Sequence, residues 1–274
     1  MALHPDDFRF VCEFMRDAAA IVLEPGKEYL VETRLAPVAS QNGLGDIAGV
    51  VRELRKSRHS PLAQKVIDAM TTNETSFFRD LAPYQHLRQR VLPALIEARK
   101  HERALSIWCG AASSGQEPFS MMMMIREEFP QLASWNLRFL ATDISQVMLA
   151  RCREGVYSQL EVNRGLPATL LVKYFKKRGI DWQIDESLRK SIEWREFNLV
   201  GRAWSTLPSL DLIMLRNVMI YFDVPTKRGI LANIRRVLKP DGYLFLGTAE
   251  TTINVDDSFQ SEQVQSSCYR MKAA

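Results

Sequence analysis

The 274-residue chain predicts an α/β fold, a doubly wound parallel sheet with helices on its faces, preceded by a small all-helical domain. Three observations carry that prediction. Between residues 5 and 70, breakers at Pro25-Gly26, Asn42-Gly43 and Ser60-Pro61 cut the chain into helix-length pieces. From Pro83 onward the texture changes to helices alternating with short β-rich runs, the rhythm of βαβ units. Finally, Leu105-Ser-Ile-Trp-Cys-Gly110 runs as an apolar strand straight into Ala111-Ala-Ser-Ser-Gly115, and a helix opens behind it. Side chains this small let a backbone approach a ligand and offer it bare N–H groups at the positive end of the helix. A cofactor pocket is the first reading of that loop. An ordinary tight strand-to-helix turn uses the same residues, and a lone glycine pattern does not separate the two.

In chain order, residues 1–70 form the expected helical domain, with helices over 5–22, 27–40, 46–58 and 61–70 and Asp46 as an N-cap. Residues 71–82 form a linker that contributes to the site, and 83–274 form the second domain. Strands are expected there at 104–109, 137–143, 210–216 and 242–247, separated by helices near 84–101, 115–129, 145–154 and 225–238. Leu210-Asp-Leu-Ile-Met-Leu215 and Tyr243-Leu-Phe-Leu246 are the near-continuous apolar runs of parallel strands buried on both faces. The stretch 173–197 breaks the rhythm, because Tyr174-Phe175, Trp182-Gln-Ile184 and Ser191 to Phe197 alternate faces between turn signals. It reads as a small antiparallel insertion. Its open edge suits a peptide strand added by β-augmentation, and equally a packing flap with no partner.

Composition narrows the class. Hydrophobic residues at 46% and charged residues at 25% are ordinary globular values, which excludes a disordered or fibrous chain. A net charge of +4 falls short of a nucleic-acid footprint, so no nucleic-acid partner is expected. Cys12, Cys109, Cys152 and Cys268 form no C-x-x-C pair, which points to reduced thiols in the cytoplasm. His4, His59, His86 and His101 lack ligand spacing, so no metal is expected. Asp6, Asp7, Arg9, Glu13, Arg16 and Asp17 interrupt the N-terminal apolar residues and exclude a secretory signal. No uncharged stretch approaches the length of a membrane span, and no heptad or large apolar patch argues against a monomer.

Three further places carry candidate chemistry. Asp143 closes the second strand of the sheet, where an acid commonly binds ribose hydroxyls; an N-cap for the next helix is the alternative. Thr71-Thr-Asn73-Glu-Thr75-Ser-Phe77-Phe78-Arg79-Asp80 packs caps, aromatics and a cation into a junction where an ordinary linker would be bland. Arg216-Asn217-Val-Met-Ile-Tyr221-Phe222 follows a buried strand at once, so its polar side chains emerge at the carboxyl end of the sheet. Plainer readings stand beside each: Arg79 paired with Asp80 or Glu74, Tyr221 a core aromatic, Glu117 a first-turn helix acid, and Met121 to Met124 helix packing.

Together, Thr-Asn-Glu-Thr-Ser-Phe-Phe-Arg-Asp at 72–80, Cys-Gly-Ala-Ala-Ser-Ser-Gly-Gln-Glu-Pro at 109–118, Ala-Thr-Asp-Ile-Ser at 141–145, Arg-Asn-Val-Met-Ile-Tyr-Phe-Asp at 216–223 and Leu-Lys-Pro-Asp-Gly-Tyr-Leu at 238–244 resemble the CheR family. These are chemotaxis receptor methyltransferases, which esterify receptor glutamates with S-adenosylmethionine (SAM). The resemblance implies a Rossmann-like domain with an inserted β-subdomain behind the helical domain. It also implies that Asn73, Thr75, Arg79, Glu117, Asp143, Asn198, Leu199, Arg216 and Asn217 hold the cofactor, with Arg79 and Tyr221 at the reacting groups.

A glutamate carboxylate is already a nucleophile toward a sulfonium methyl, so alignment rather than a general base is needed. Arg79 is the candidate clamp for that carboxylate, and Tyr221 orients the acid or the sulfonium. The implied products are a glutamate methyl ester and S-adenosylhomocysteine, and the implied partner is the acidic helical bundle of a chemoreceptor. Two departures from the family bear on docking. The turn at Gly179 is short where peptide-binding members carry a glycine-containing extension, which favours independence of a receptor C-terminal pentapeptide. The second helix offers only Lys27 and Arg34, whereas Arg52, Arg55, Lys56 and Arg58 cluster on the third. Alternatives are a methyltransferase for a different substrate in the same fold and a SAM-binding regulatory module.

Overall fold

A computed structural model describes residues 3–263 and 267–272. Four helices come first: α1 (Pro5–Ala19), α2 (Glu28–Gln41), α3 (Ile47–Lys56) and α4 (Pro61–Met70). Their starts follow from local chemistry. Asp46 accepts the Gly49 N–H at 2.9 Å, and Ser60 caps α4 with Pro61 at its first position, where a missing N–H costs nothing. Phe14, Val31, Leu35, Val50, Leu54 and Val66 bury one apolar face of each helix against the others, forming a core of their own. Helix α1 stops short of the expected residue 22. Ala20 turns left-handed at φ +52° and its methyl packs instead on the core beneath the main sheet.

The expected helix over 84–101 is broken into α5 (Leu81–His86), a π-turn (Leu87–Val91) and α6 (Leu92–Ala98). Pro93 lacks the N–H that would continue the α-helical ladder, and the wider turn absorbs the gap. The chain then alternates: β1 (Ala104–Gly110), α7 (Gln116–Glu128), β2 (Asn136–Asp143) and α8 (Gln146–Glu154). Next come β3 (Val156–Tyr157), α9 (Gln159–Asn163), α10 (Ala168–Tyr174), β4 (Phe175–Arg178), β5 (Asp181–Ile184), α11 (Glu186–Lys190) and β6 (Glu193–Glu196). The last elements are β7 (Leu210–Leu215), α12 (Val224–Val237), β8 (Leu238–Leu246), β9 (Phe259–Gln263) and β10 (Cys268–Met271).

The main sheet runs β6-β2-β1-β7-β8-β10-β9, parallel from β6 to β8 and antiparallel for the last two strands. The order reverses between β1 and β7, and ligands bind outside the strand ends at such a switch point. A second sheet, β3-β5-β4, is antiparallel.

The stretch 173–197 is therefore not one excursion. The small sheet begins earlier, at Val156, while β6 pairs parallel with β2 through Leu140 opposite Glu193. Alternating faces in Glu193-Trp194-Arg195-Glu196 mark an edge strand but do not reveal which sheet it joins. Strands β9 and β10, not foreseen in the sequence, complete the opposite edge of the main sheet. Among the described residues no helix is long and apolar enough to cross a membrane.

Candidate active site

The loop after β1 supplies the floor of the site. Ala111, Ser113 and Gly115 all adopt positive φ, at +56°, +50° and +94°. A Cβ on Gly115 would lie 3.0 Å from Cys152 Sγ and 3.1 Å from the Tyr157 hydroxyl, so a side chain would strain the backbone and crowd both neighbours. Tyr157, from the small sheet, donates to the Ser114 carbonyl at 2.7 Å and props the loop from below. Asp143 holds the loop from the side. Its Oδ2 accepts the Ser113 N–H at 2.7 Å and its Oδ1 the Ser145 N–H at 2.8 Å. Ser145, not Asp143, caps α8. Burial raises the Asp143 pKa above the ordinary carboxylate value, against the opposing effect of these N–H bonds.

Arg216, just past β7, is the hub of the centre. Its side chain is 1% exposed. Nη1 donates to Glu117 Oε2 at 2.6 Å, while Nη2 donates to the Arg79 carbonyl at 2.9 Å and to Asp80 Oδ2 at 2.8 Å. Burial alone would lower the pKa of this guanidinium, but the charge of Glu117 and the other acids around it hold it above its ordinary value. Cys109 Sγ donates to the other Glu117 oxygen at 3.1 Å. Burial, reinforced by the neighbouring Glu117 charge, pushes the Cys109 thiol well up, so it stays protonated and serves as a donor.

The junction crosses above this hub. Ser113 Oγ donates to the Asn73 carbonyl at 2.9 Å, and the Arg79 guanidinium donates to the Glu74 carbonyl at 3.0 Å. Arg34, on α2, donates to the carbonyls of Met70 (2.7 Å) and Thr71 (3.2 Å) and to Thr72 Oγ1 (3.1 Å). Its charge is committed to the linker rather than offered to a docking partner. Arg34→Ala is expected to weaken S-adenosylhomocysteine binding about tenfold, roughly the worth of one charged hydrogen bond. Calorimetric titration measures this, and an unchanged Kd would remove Arg34 from the support of the site.

The remaining wall lies where the domains meet. Asn198 donates to the Ala18 carbonyl at 2.7 Å, and the Val22 N–H reaches the Tyr221 carbonyl at 3.4 Å. Asn217 is at φ +59°, held by the Glu250 carboxylate, which accepts the N–H groups of Asn217 (2.8 Å), Ile220 (3.2 Å) and Gly247 (2.5 Å). Strained backbone at Ala111, Ser113 and Asn217 thus lines one crevice, as it does where ligands are gripped.

All ten nominated residues, Asn73, Thr75, Arg79, Glu117, Asp143, Asn198, Leu199, Arg216, Asn217 and Tyr221, line a single solvent-open cleft. The inventory fits SAM: a small-residue loop at Ala111 to Ser113, carboxylates at Asp143 and Glu117, apolar Phe197 and Leu199, and a buried Arg216 Nε without a partner among the described residues. Ala19 and Ile21 also line the cleft and were not foreseen; helix periodicity places α1 in its own core and gives no sign that its last turn leans out.

Family models match the chain in two consecutive pieces, the CheR methyltransferase all-alpha domain over residues 6–71 and the CheR methyltransferase SAM binding domain over residues 73–268. The chain belongs to the CheR family. It is 40% identical to chemotaxis protein methyltransferase 1 of Pseudomonas aeruginosa over 94% of each chain. Identity is 37% to chemotaxis protein methyltransferase Cher2 of Pseudomonas putida, again over 94% of each. Chemotaxis protein methyltransferase 1 of Vibrio cholerae is 35% identical over 95% of this chain and 94% of that one. This CheR protein is therefore a SAM-dependent methyltransferase with the expected architecture: a helical domain, a Rossmann-like domain and a small antiparallel sheet.

Proposed function

We propose that this CheR protein methylates glutamate side-chain carboxylates of chemoreceptors in the cytoplasm, leaving a glutamate methyl ester and S-adenosylhomocysteine. The observation that carries the reading is the meeting of Arg79, from the junction, and Tyr221, from beyond β7, in the cleft that also holds Glu117 and Asp143. When bound, SAM supplies a methyl group whose C–S bond breaks, with its electron pair going to sulfur, as the new C–O bond forms. The protein's task is placement. Asp143 takes the ribose hydroxyls, Asn198 and Leu199 flank the adenine, and Asn73, Thr75, Glu117, Arg216 and Asn217 bind the remainder. Arg79 grips the incoming carboxylate by the oxygen that does not attack, and Tyr221 orients the acid or the sulfonium. Grip shared equally by ground and transition states would not raise turnover, so the free oxygen must stay ungripped.

The substrate is the acidic helical bundle of a chemoreceptor, approached as a monomer. The β4–β5 turn consists of Gly179 and Ile180 alone, which supports independence of a receptor C-terminal pentapeptide. Methyl-labelled SAM and receptor-containing membranes test the proposal. Label on the receptor that leaves as methanol in mild alkali is the expected result. Alkali-stable label would move the reaction to nitrogen, and the absence of any label despite tight S-adenosylhomocysteine binding would favour a regulatory module.

A further inference from the structure

The segment Phe77–Asp80 is held from several sides. Phe77 is fully buried, edge-on to Tyr157 (5.1 Å between centroids) and Phe175 (5.7 Å). A Cβ on Gly165 would lie 2.0 Å from the Phe77 carbonyl oxygen, so a second loop is pressed against the same residue. The Phe78 N–H donates to Ser120 Oγ at 3.0 Å, and both Phe78 (φ +48°) and Asp80 (φ +59°) are left-handed. Such conformations are costly in a non-glycine residue and persist only when the surroundings over-determine them. Arg216 is the surrounding group on the far side. Its Nη2 spends both hydrogens here, one on the Arg79 carbonyl and one on the Asp80 carboxylate, while Nη1 is engaged by Glu117. The Arg79 side chain leaves this frame into the cleft, with one N–H on the Glu74 carbonyl.

We infer that Asp80 is a positioning residue for methyl transfer: its carboxylate locks Arg216 against the backbone of Arg79 and so sets where the Arg79 guanidinium enters the cleft. The inference rests on the reading of Arg79 as the substrate clamp. Asp80 does not line the cleft. Without it, Arg216 stays anchored on Glu117 while its hold on the Arg79 segment loosens, and the left-handed turn relaxes. A displacement of about an ångström in a catalytic group is enough to cost up to about a hundredfold in rate.

Asp80→Ala, Asp80→Asn, Arg79→Ala and the Asp80→Ala/Arg79→Ala pair should be compared in kcat, in S-adenosylhomocysteine affinity and in melting temperature. Asp80→Ala is expected to lower kcat about 10- to 30-fold with affinity within about threefold of the parent, the signature of misplacement rather than lost binding. Asp80→Asn keeps an acceptor for Nη2 and should recover most of the turnover, which a mere loss of folding would not allow. Because Asp80 acts through its neighbour, Asp80→Ala should add nothing further to Arg79→Ala.

Wild-type kcat in Asp80→Ala, an affinity loss as large as the kcat loss, or full additivity with Arg79→Ala would each overturn the inference. These results leave the clamp reading standing if Arg79→Ala alone is impaired. Full activity in Arg79→Ala would overturn the clamp reading itself, and this inference with it.

Discussion

Arg79→Ala is expected to lower kcat by about 10²- to 10³-fold while S-adenosylhomocysteine affinity shifts by no more than about threefold, the cost of losing one preorganised charged donor at the reacting group. The split follows from what the side chain touches. Arg79 spends one N–H on the Glu74 carbonyl at 3.0 Å, and it makes no ion pair among the described residues. The plainer expectation, a surface pair with Asp80 or Glu74, does not describe it: Asp80 is taken by Arg216 at 2.8 Å, and Glu74 by Arg164 at 2.7 Å. Neighbouring acids pair with other cations, which leaves the guanidinium without an acidic partner among the described residues, as the proposed clamp requires. Arg79→Lys should fall between the two, since an ammonium keeps the charge but cannot present a planar pair of donors. Alkali-labile label on receptor membranes reads kcat, and calorimetry reads affinity. Equal turnover in Arg79→Ala and the parent protein would remove the clamp.

Much of this centre was legible in the sequence because parallel strands expose their carboxyl ends at one crevice. Gly110 to Gly115, Asp143 and Arg216 each follow an apolar strand directly, so their place at that crevice needs no knowledge of the fold beyond strand order. Helix starts at Asp46 and Pro61 were legible for a similar reason: a cap acts within three residues of itself. What sequence reasoning missed depends on partners far along the chain. Arg34 reads as an exposed basic residue of α2, yet its carbonyl partners lie 36 and 37 residues away. Tyr157 supports a carbonyl 43 residues earlier. Glu250, after β8, gathers N–H groups from two loops, and nothing in Gly247-Thr-Ala-Glu250 distinguishes it from a surface turn acid. Strand β6 shows the same limit, since periodicity describes the faces of a strand and not its neighbour.

Arg216→Met tests how far the centre depends on a single buried cation. Methionine fills much of the same volume but leaves Glu117 and Asp80, with side chains 13% and 35% exposed, facing a thioether. Breaking a buried pair from one side typically costs about 3–5 kcal/mol, because the surviving charge is desolvated without compensation; Asp80, the more exposed, contributes the smaller share. At about 2–4 °C per kcal/mol for a chain of this size, a drop of roughly 10 °C in melting temperature is expected. Cofactor binding should fall with it, since Glu117 loses the donor that fixes its direction. The second step of the test separates charge from packing. If the penalty is the orphaned carboxylate, Glu117→Gln added to Arg216→Met should restore more than half of the lost stability, although Glu117→Gln alone destabilises the parent. If the penalty were a packing defect, the two changes would simply add. A melting temperature within about 2 °C of the parent for Arg216→Met would mean that Glu117 and Asp80 remain solvated in the folded protein, and that the junction and the cofactor loop are joined by something other than this cation.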